Sequence, residues 1–202
     1  NEFYYMVCPW NYYSDEFKTT HDINNKFGIK EKDFDFVPRQ GEPLCGVFMQ
    51  DLSGTAKGNW LMPSQTSFEK EDYHIALIDS NYDSSKSTFS IGSDSTVVLN
   101  NKAYRSEFTP NTDTASFIGQ SFDLVVPGSI YCYSSSDDTP YQISSDSQNS
   151  TQEETKNLRI LLYMQSATSL NILFDYTNTS CTSIPSIETF NTLSSVQFIR
   201  DV

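Results

Sequence analysis

Tyr73–Ile91 reads YHIALIDSNYDSSKSTFSI. Its first part, through Asp79, is an apolar run of strand length with Ile and Tyr side chains that pack well on a pleated surface. The middle is Asn, Asp and Ser, whose side chains bond their own backbone and favour turns. Ser87–Ile91 (STFSI) is strand-like again. Strand, polar turn, strand is the pattern of a β-hairpin with a longish loop.

Working outward, the same pattern recurs. Leu158–Met164 and Leu170–Tyr176 form a second hairpin that turns through Ser166–Ser169. Shorter strands are expected at Leu44–Leu52, Asn59–Met62, Thr96–Asn100, Ala103–Phe108, Phe122–Val126, Ser129–Tyr133 and Val196–Ile199, with Pro127-Gly128 as a tight turn. Turns recurring roughly every 8–12 residues indicate a sandwich or barrel. The expected fold is all-β, a single antiparallel barrel or sandwich with one short N-terminal helix.

That helix is expected over residues 15–26. Ser14 is its N-cap, Asp15 and Glu16 fill the first turn, Gly28 stops it, and Phe17 and Ile23 face inward. The expected organisation is one β-rich domain over residues 1–202, with residues 1–43 as N-terminal strand, short helix and connector. Residues 134–156 are polar and low in complexity; they bury too little apolar area to offset ordering entropy and read as a mobile loop.

A chain of 202 residues can bury about 70% of its unfolded surface. Its 37% hydrophobic and 14% aromatic content is that of a folded protein rather than a disordered one. Charge is −13, from 26 acidic and 13 basic residues, and no two basic residues are adjacent. Such a surface cannot neutralise a row of phosphates, so nucleic acid and anionic membranes are not expected as partners. Nor is any apolar run long enough for membrane insertion as a helix.

Cys8, Cys45, Cys132 and Cys181 lie far apart, without the close spacing of a zinc ribbon or redox pair. Four cysteines allow three connectivities; the pairing favoured is Cys8 with Cys45 and Cys132 with Cys181, the second stapling the long polar loop. Asn149-Ser-Thr and Asn178-Thr-Ser are N-glycosylation sequons in polar stretches. The chain opens on the strand-like NEFYYMVC, which suits a mature form whose leader has been removed. Secreted, periplasmic or cell-surface is the expected location.

The segments Gly54-Thr-Ala-Lys-Gly-Asn-Trp60, His74-Ile-Ala-Leu-Ile-Asp79 and Phe89-Ser-Ile-Gly92 give the chain a further signature. With Cys8-Pro9, Tyr12, Cys45-Gly46 and Ile130–Tyr133, they resemble a family of uncharacterised secreted bacterial proteins carrying GTAxGNW, HxALxxD and FSxG motifs. The resemblance covers residues 7–133 and implies an exported β domain with no established activity.

Three constellations could carry chemistry. Asp79, Asn81, Asp83 and Ser85 alternate as D-x-N-x-D-x-S, oxygen donors spaced to wrap Ca²⁺. Ser84 and Ser90 stand where a calcium loop has Gly and Glu, and the same residues also make a hairpin turn. Calcium is the one cofactor suggested. Asn59, Trp60 and Tyr73 could stack on a sugar or peptide, or Trp60 could pack in the core while glycines shape its loop. The aromatics Tyr4, Tyr5, Trp10, Tyr12 and Tyr13 offer a second contact surface.

The leading expectation is a non-enzymatic extracellular binding or assembly domain, its partner an extracellular protein, a glycan or a second copy. An unpaired apolar edge at Phe3–Val7 would serve the assembly form. The alternative is a secreted hydrolase with His74 as base and Asp72 on the same strand face as its acid; no G-x-S-x-G elbow accompanies them.

Overall fold

The computed structural model describes residues 12–21, 28–29, 37–38, 50–65, 74–80, 83, 85–92, 104–111, 113–134, 158–175, 177–178 and 180–200, with backbone alone at 28–29, 37–38 and 104–105. The chain divides into two compact units, Asn1–Gln50 with Asp79–Lys86, and Asp51–Ile78 with Ser87–Val202.

In the first unit, helix α1 spans Asp15–Thr20. Ser14 caps it, its Oγ accepting the Phe17 N–H at 3.2 Å, with Asp15 and Glu16 in the first turn as expected. It ends well short of residue 26. Thr19 and Thr20 are poor helix formers, and the Thr19 hydroxyl donates back to the Asp15 carbonyl at 2.8 Å. Phe17 is 37% exposed rather than inward, and stacks between Tyr13 and His21 with ring centroids 4.6 and 4.3 Å away. Gly28–Ile29 (β1) and Val37–Pro38 (β2) pair antiparallel, where the sequence suggested a helix stop and an irregular connector.

The second unit carries the all-β architecture expected. Strands β3 (Gly58–Leu61), β4 (His74–Asp79), β5 (Ser87–Ile91), β6 (Tyr104–Phe108), β7 (Ile130–Ser134), β8 (Arg159–Ser166), β9 (Ser169–Asp175) and β10 (Val196–Ile199) form one antiparallel sheet in the order β6-β5-β4-β3-β10-β9-β8-β7. Both expected hairpins are present, and a register irregularity lies between Met164 and Ser166 beside the β8–β9 turn.

The sheet curls, because side chains from its two outermost strands meet. Phe108 of β6 lies 5.2 Å from Tyr133 of β7, and Phe89 of β5 lies 5.1 Å from the same ring. Phe122 joins the cluster, edge-on to Phe89 at 4.9 Å. Aromatic packing thus brings together edges that share no ladder of hydrogen bonds in the sheet order. Ile75, Leu77, Ile160, Leu162, Met164, Leu170, Ile172 and Phe198 fill the same core.

Strand β8 is buried on both faces, which explains its unbroken apolar run. Ile160, Leu162 and Met164 face the main core, while Leu161 packs outward with Ile130, Cys132, Cys181 and Phe190. Phe190 comes from helix α2 (Ile187–Phe190), which the sequence reading missed; Ser186 caps it by accepting the Thr189 N–H at 3.2 Å.

Two expected strands differ. Phe122–Val126 is a turn: Phe122 and Val125 are buried three residues apart, a turn spacing rather than an alternation of two. At Leu44–Leu52 the described portion, residues 50–52, is not strand, and the remainder lies outside the described residues. Phe3–Cys8, Thr96–Asn100, Ile23 and residues 135–156 also lie outside them.

Candidate functional site

The stretch Gly54–Trp60, a loop that runs into β3 at Gly58, is held by a dense set of hydrogen bonds. Gly58 has φ +130°, and a Cβ there would sit 2.8 Å from the Asp51 Cα, so only glycine fits without strain. The approach lets the Asp51 carboxylate accept the Asn59 backbone N–H at 2.7 Å and its side-chain amide at 3.3 Å. The Ala56 and Lys57 N–H groups donate to the carbonyls of Val125 and Phe122, at 2.9 and 3.1 Å. This is why residues 122–125 form a turn: their carbonyls are aimed at this loop.

Arg200 closes the arrangement. Its guanidinium donates to the carbonyls of Lys57 (2.9 Å), Leu52 (3.1 Å), Thr55 (2.6 Å) and Ala167 (3.1 Å). It also lies 4.4 Å above the Trp60 ring, while the indole N–H donates to the Ala56 carbonyl at 2.8 Å. Burial lowers the Arg200 pKa and the Asp51 charge opposes that. Its planar fork suits several fixed carbonyls at once. The loop is a latch.

Of the two roles expected for Trp60, the structure shows packing in the core. The ring is fully buried, with no face open to a sugar or peptide. Asn59 is half-buried and bonded to Asp51, and Tyr73 lies outside the described residues.

At the calcium candidate, the side-chain amide of Gln50 bonds both the N–H (2.7 Å) and the carbonyl (3.2 Å) of Asp79, like a neighbouring strand. Asp83 Oδ1 accepts the Ser85 N–H at 3.0 Å and the Ser85 hydroxyl, and Oδ2 is 4.0 Å from Lys86 Nζ. The Ser85 hydroxyl holds the Asp83 carboxyl below its ordinary range against a burial penalty, aided by the Ser85 N–H and Lys86. These are the bonds of a hairpin turn. Asn81 lies outside the described residues, and no group of three His, Cys, Asp or Glu arranged for a metal occurs among those described.

His74 opens β4 opposite Leu61, and its carbonyl accepts the Gly92 N–H at 2.9 Å. Its suggested acid, Asp72, lies outside the described residues, as do Tyr4, Tyr5, Trp10, Cys8, Cys45 and Asn149. Of the N-terminal aromatics, Tyr12 and Tyr13 are 78% and 43% exposed. Cys132 and Cys181 are disulfide-bonded, the expected pair, across 49 residues of sequence.

Sequence reasoning missed two features. The first is an ion pair: Arg159 donates to Asp175 at 2.7 Å and to the carbonyls of Ser180 and Ser183, both at 3.2 Å, fixing the segment around Cys181. Burial raises the Asp175 pKa, but hydrogen bonds from Thr177, Asn178 and Arg159 outweigh it and bring it down to about 2. The second lies in the long excursion between β6 and β7. Phe117, Ile118 and Val126 are 45%, 46% and 44% exposed. Phe117 lies 5.5 Å from the ring of the buried Tyr131, whose hydroxyl accepts the Val126 N–H at 3.4 Å. The Phe117 carbonyl accepts the Cys132 N–H, and the Gly119 N–H donates to the Cys132 carbonyl, both at 2.8 Å, so the excursion is pinned along β7.

No protein-family model, curated protein or solved structure matches the chain. Among the described residues no helix is long and apolar enough to cross a membrane.

Proposed function

We propose that the chain is a non-enzymatic extracellular binding or assembly domain whose contact face is the apolar rim of Phe117, Ile118 and Val126 around Tyr131. One observation carries this reading: Phe117, Ile118 and Val126, three large apolar side chains, stand exposed together on a loop pinned to β7, whereas Trp60 is buried. Adjacent exposed apolar side chains favour a partner that removes them from water. A loop already fixed by its bonds to Cys132 loses little further freedom on binding. The disulfide at that same cysteine supports an oxidising compartment outside the cytosol. The partner is a second copy, an extracellular protein or a glycan, and the charge of −13 disfavours nucleic acid.

Sedimentation velocity over a concentration series, paired with a glycan array, tests this. The wild type is expected to self-associate or bind glycan. Phe117→Asp with Val126→Asp is expected to lose that behaviour while melting at the wild-type temperature. A double variant that self-associates or binds glycan as the wild type does would overturn the reading.

A further inference from the structure

We propose that Asn178 is an N-glycan acceptor, an inference that rests on the extracellular reading above. The tripeptide Asn178-Thr179-Ser180 has the acceptor pattern, with no proline in the middle. The structure adds how it is displayed. Asp175 Oδ1 accepts the N–H groups of Thr177 (2.9 Å) and Asn178 (3.0 Å) and the Thr177 hydroxyl (2.7 Å), a turn that leaves Asn178 exposed. The Asn178 Oδ1 accepts the Ser180 N–H at 3.3 Å, and no described hydrogen bond engages its Nδ2, the atom that is modified. A glycan there displaces no packed side chain.

The second observation is Cys181, next in sequence to the acceptor serine and bonded to Cys132. Disulfide formation and glycan transfer belong to the same secretory environment. In the transfer, Nδ2 attacks the anomeric carbon of a polyprenyl-diphosphate-linked oligosaccharide. The N–C bond forms, the bond from that carbon to the diphosphate oxygen breaks, polyprenyl diphosphate departs, and the amide nitrogen loses one proton.

The full chain, secreted from a eukaryotic cell as Asn149→Gln to remove the other sequon, is compared with the same chain also carrying Ser180→Ala, Ser180→Thr or Asn178→Gln. The expected result is one glycosidase-sensitive mass shift, abolished by Ser180→Ala and Asn178→Gln and kept by Ser180→Thr. Chain that is secreted with no free thiol yet shows no shift overturns the acceptor assignment and leaves the extracellular reading standing. Chain retained inside the cell with Cys132 and Cys181 as free thiols overturns the extracellular reading, and the assignment with it.

Discussion

Arg200 and Arg159 are each under 8% exposed, and both direct their guanidinium at backbone carbonyls. What buries Arg200 is the loop at Leu52–Lys57, more than 140 residues away in sequence. Glycine spacing in that loop was legible; the partner its carbonyls need was not. Gly58→Ala would combine an unfavourable φ with a clash at Asp51, and a loss of at least about 2 kcal/mol is expected in urea unfolding. Asp175 makes a pH prediction. Its folded pKa of about 2 lies below the ordinary carboxylate value, so its contribution is fully present above about pH 4 and is lost as pH falls towards 2. Stability is expected to drop by about 2 kcal/mol over that window in the wild type, and far less in Asp175→Asn. Parallel curves for the two proteins would show that Asp175 contributes no such stability.

At the scale of elements, strands with strong apolar runs were readable to within a residue or two, because alternation and length speak directly for a sheet. Ser87–Ile91 and Val196–Ile199 match the expected bounds. Phe122–Val126 misled because a turn that buries two side chains has the composition of a strand. Helix α2 was missed because four residues leave almost no periodicity, and its Ser186 cap looks like any loop serine. The Cys132–Cys181 link closes a ring of about 50 residues, which stabilises by roughly 4 kcal/mol in the chain-entropy picture. Reduction is therefore expected to lower the melting temperature and loosen the packing of Phe190 on Leu161, seen as faster amide exchange in both. The turn at Asp83–Lys86 is already satisfied by its own side chains, so EDTA followed by Ca²⁺ is expected to leave the melt unchanged. A drop that calcium restores would put an ion in that turn.

The second unit is one curled sheet held at three places: the aromatic cluster joining its outer strands, the disulfide-bonded cover on β7–β9, and the latch at Gly54–Trp60. The sequence carried the fold class, the Cys132–Cys181 pair and the importance of the glycine loop. It left two uses open for Trp60, because an aromatic beside glycines looks alike whether it stacks on a ligand or on a buried arginine. The exposed rim of Phe117, Ile118 and Val126 was invisible for a related reason: exposure is a property of the whole sheet and its loops. The glycine loop is a latch tied by Arg200. Urea unfolding of Arg200→Gln tests it most directly. The carbonyls of Leu52, Thr55 and Lys57 lose their donor and Trp60 loses its cation, so a loss of about 3 kcal/mol in one cooperative transition is expected. An unfolding midpoint equal to that of the wild type would contradict the claim and return the loop to the list of candidate ligand sites.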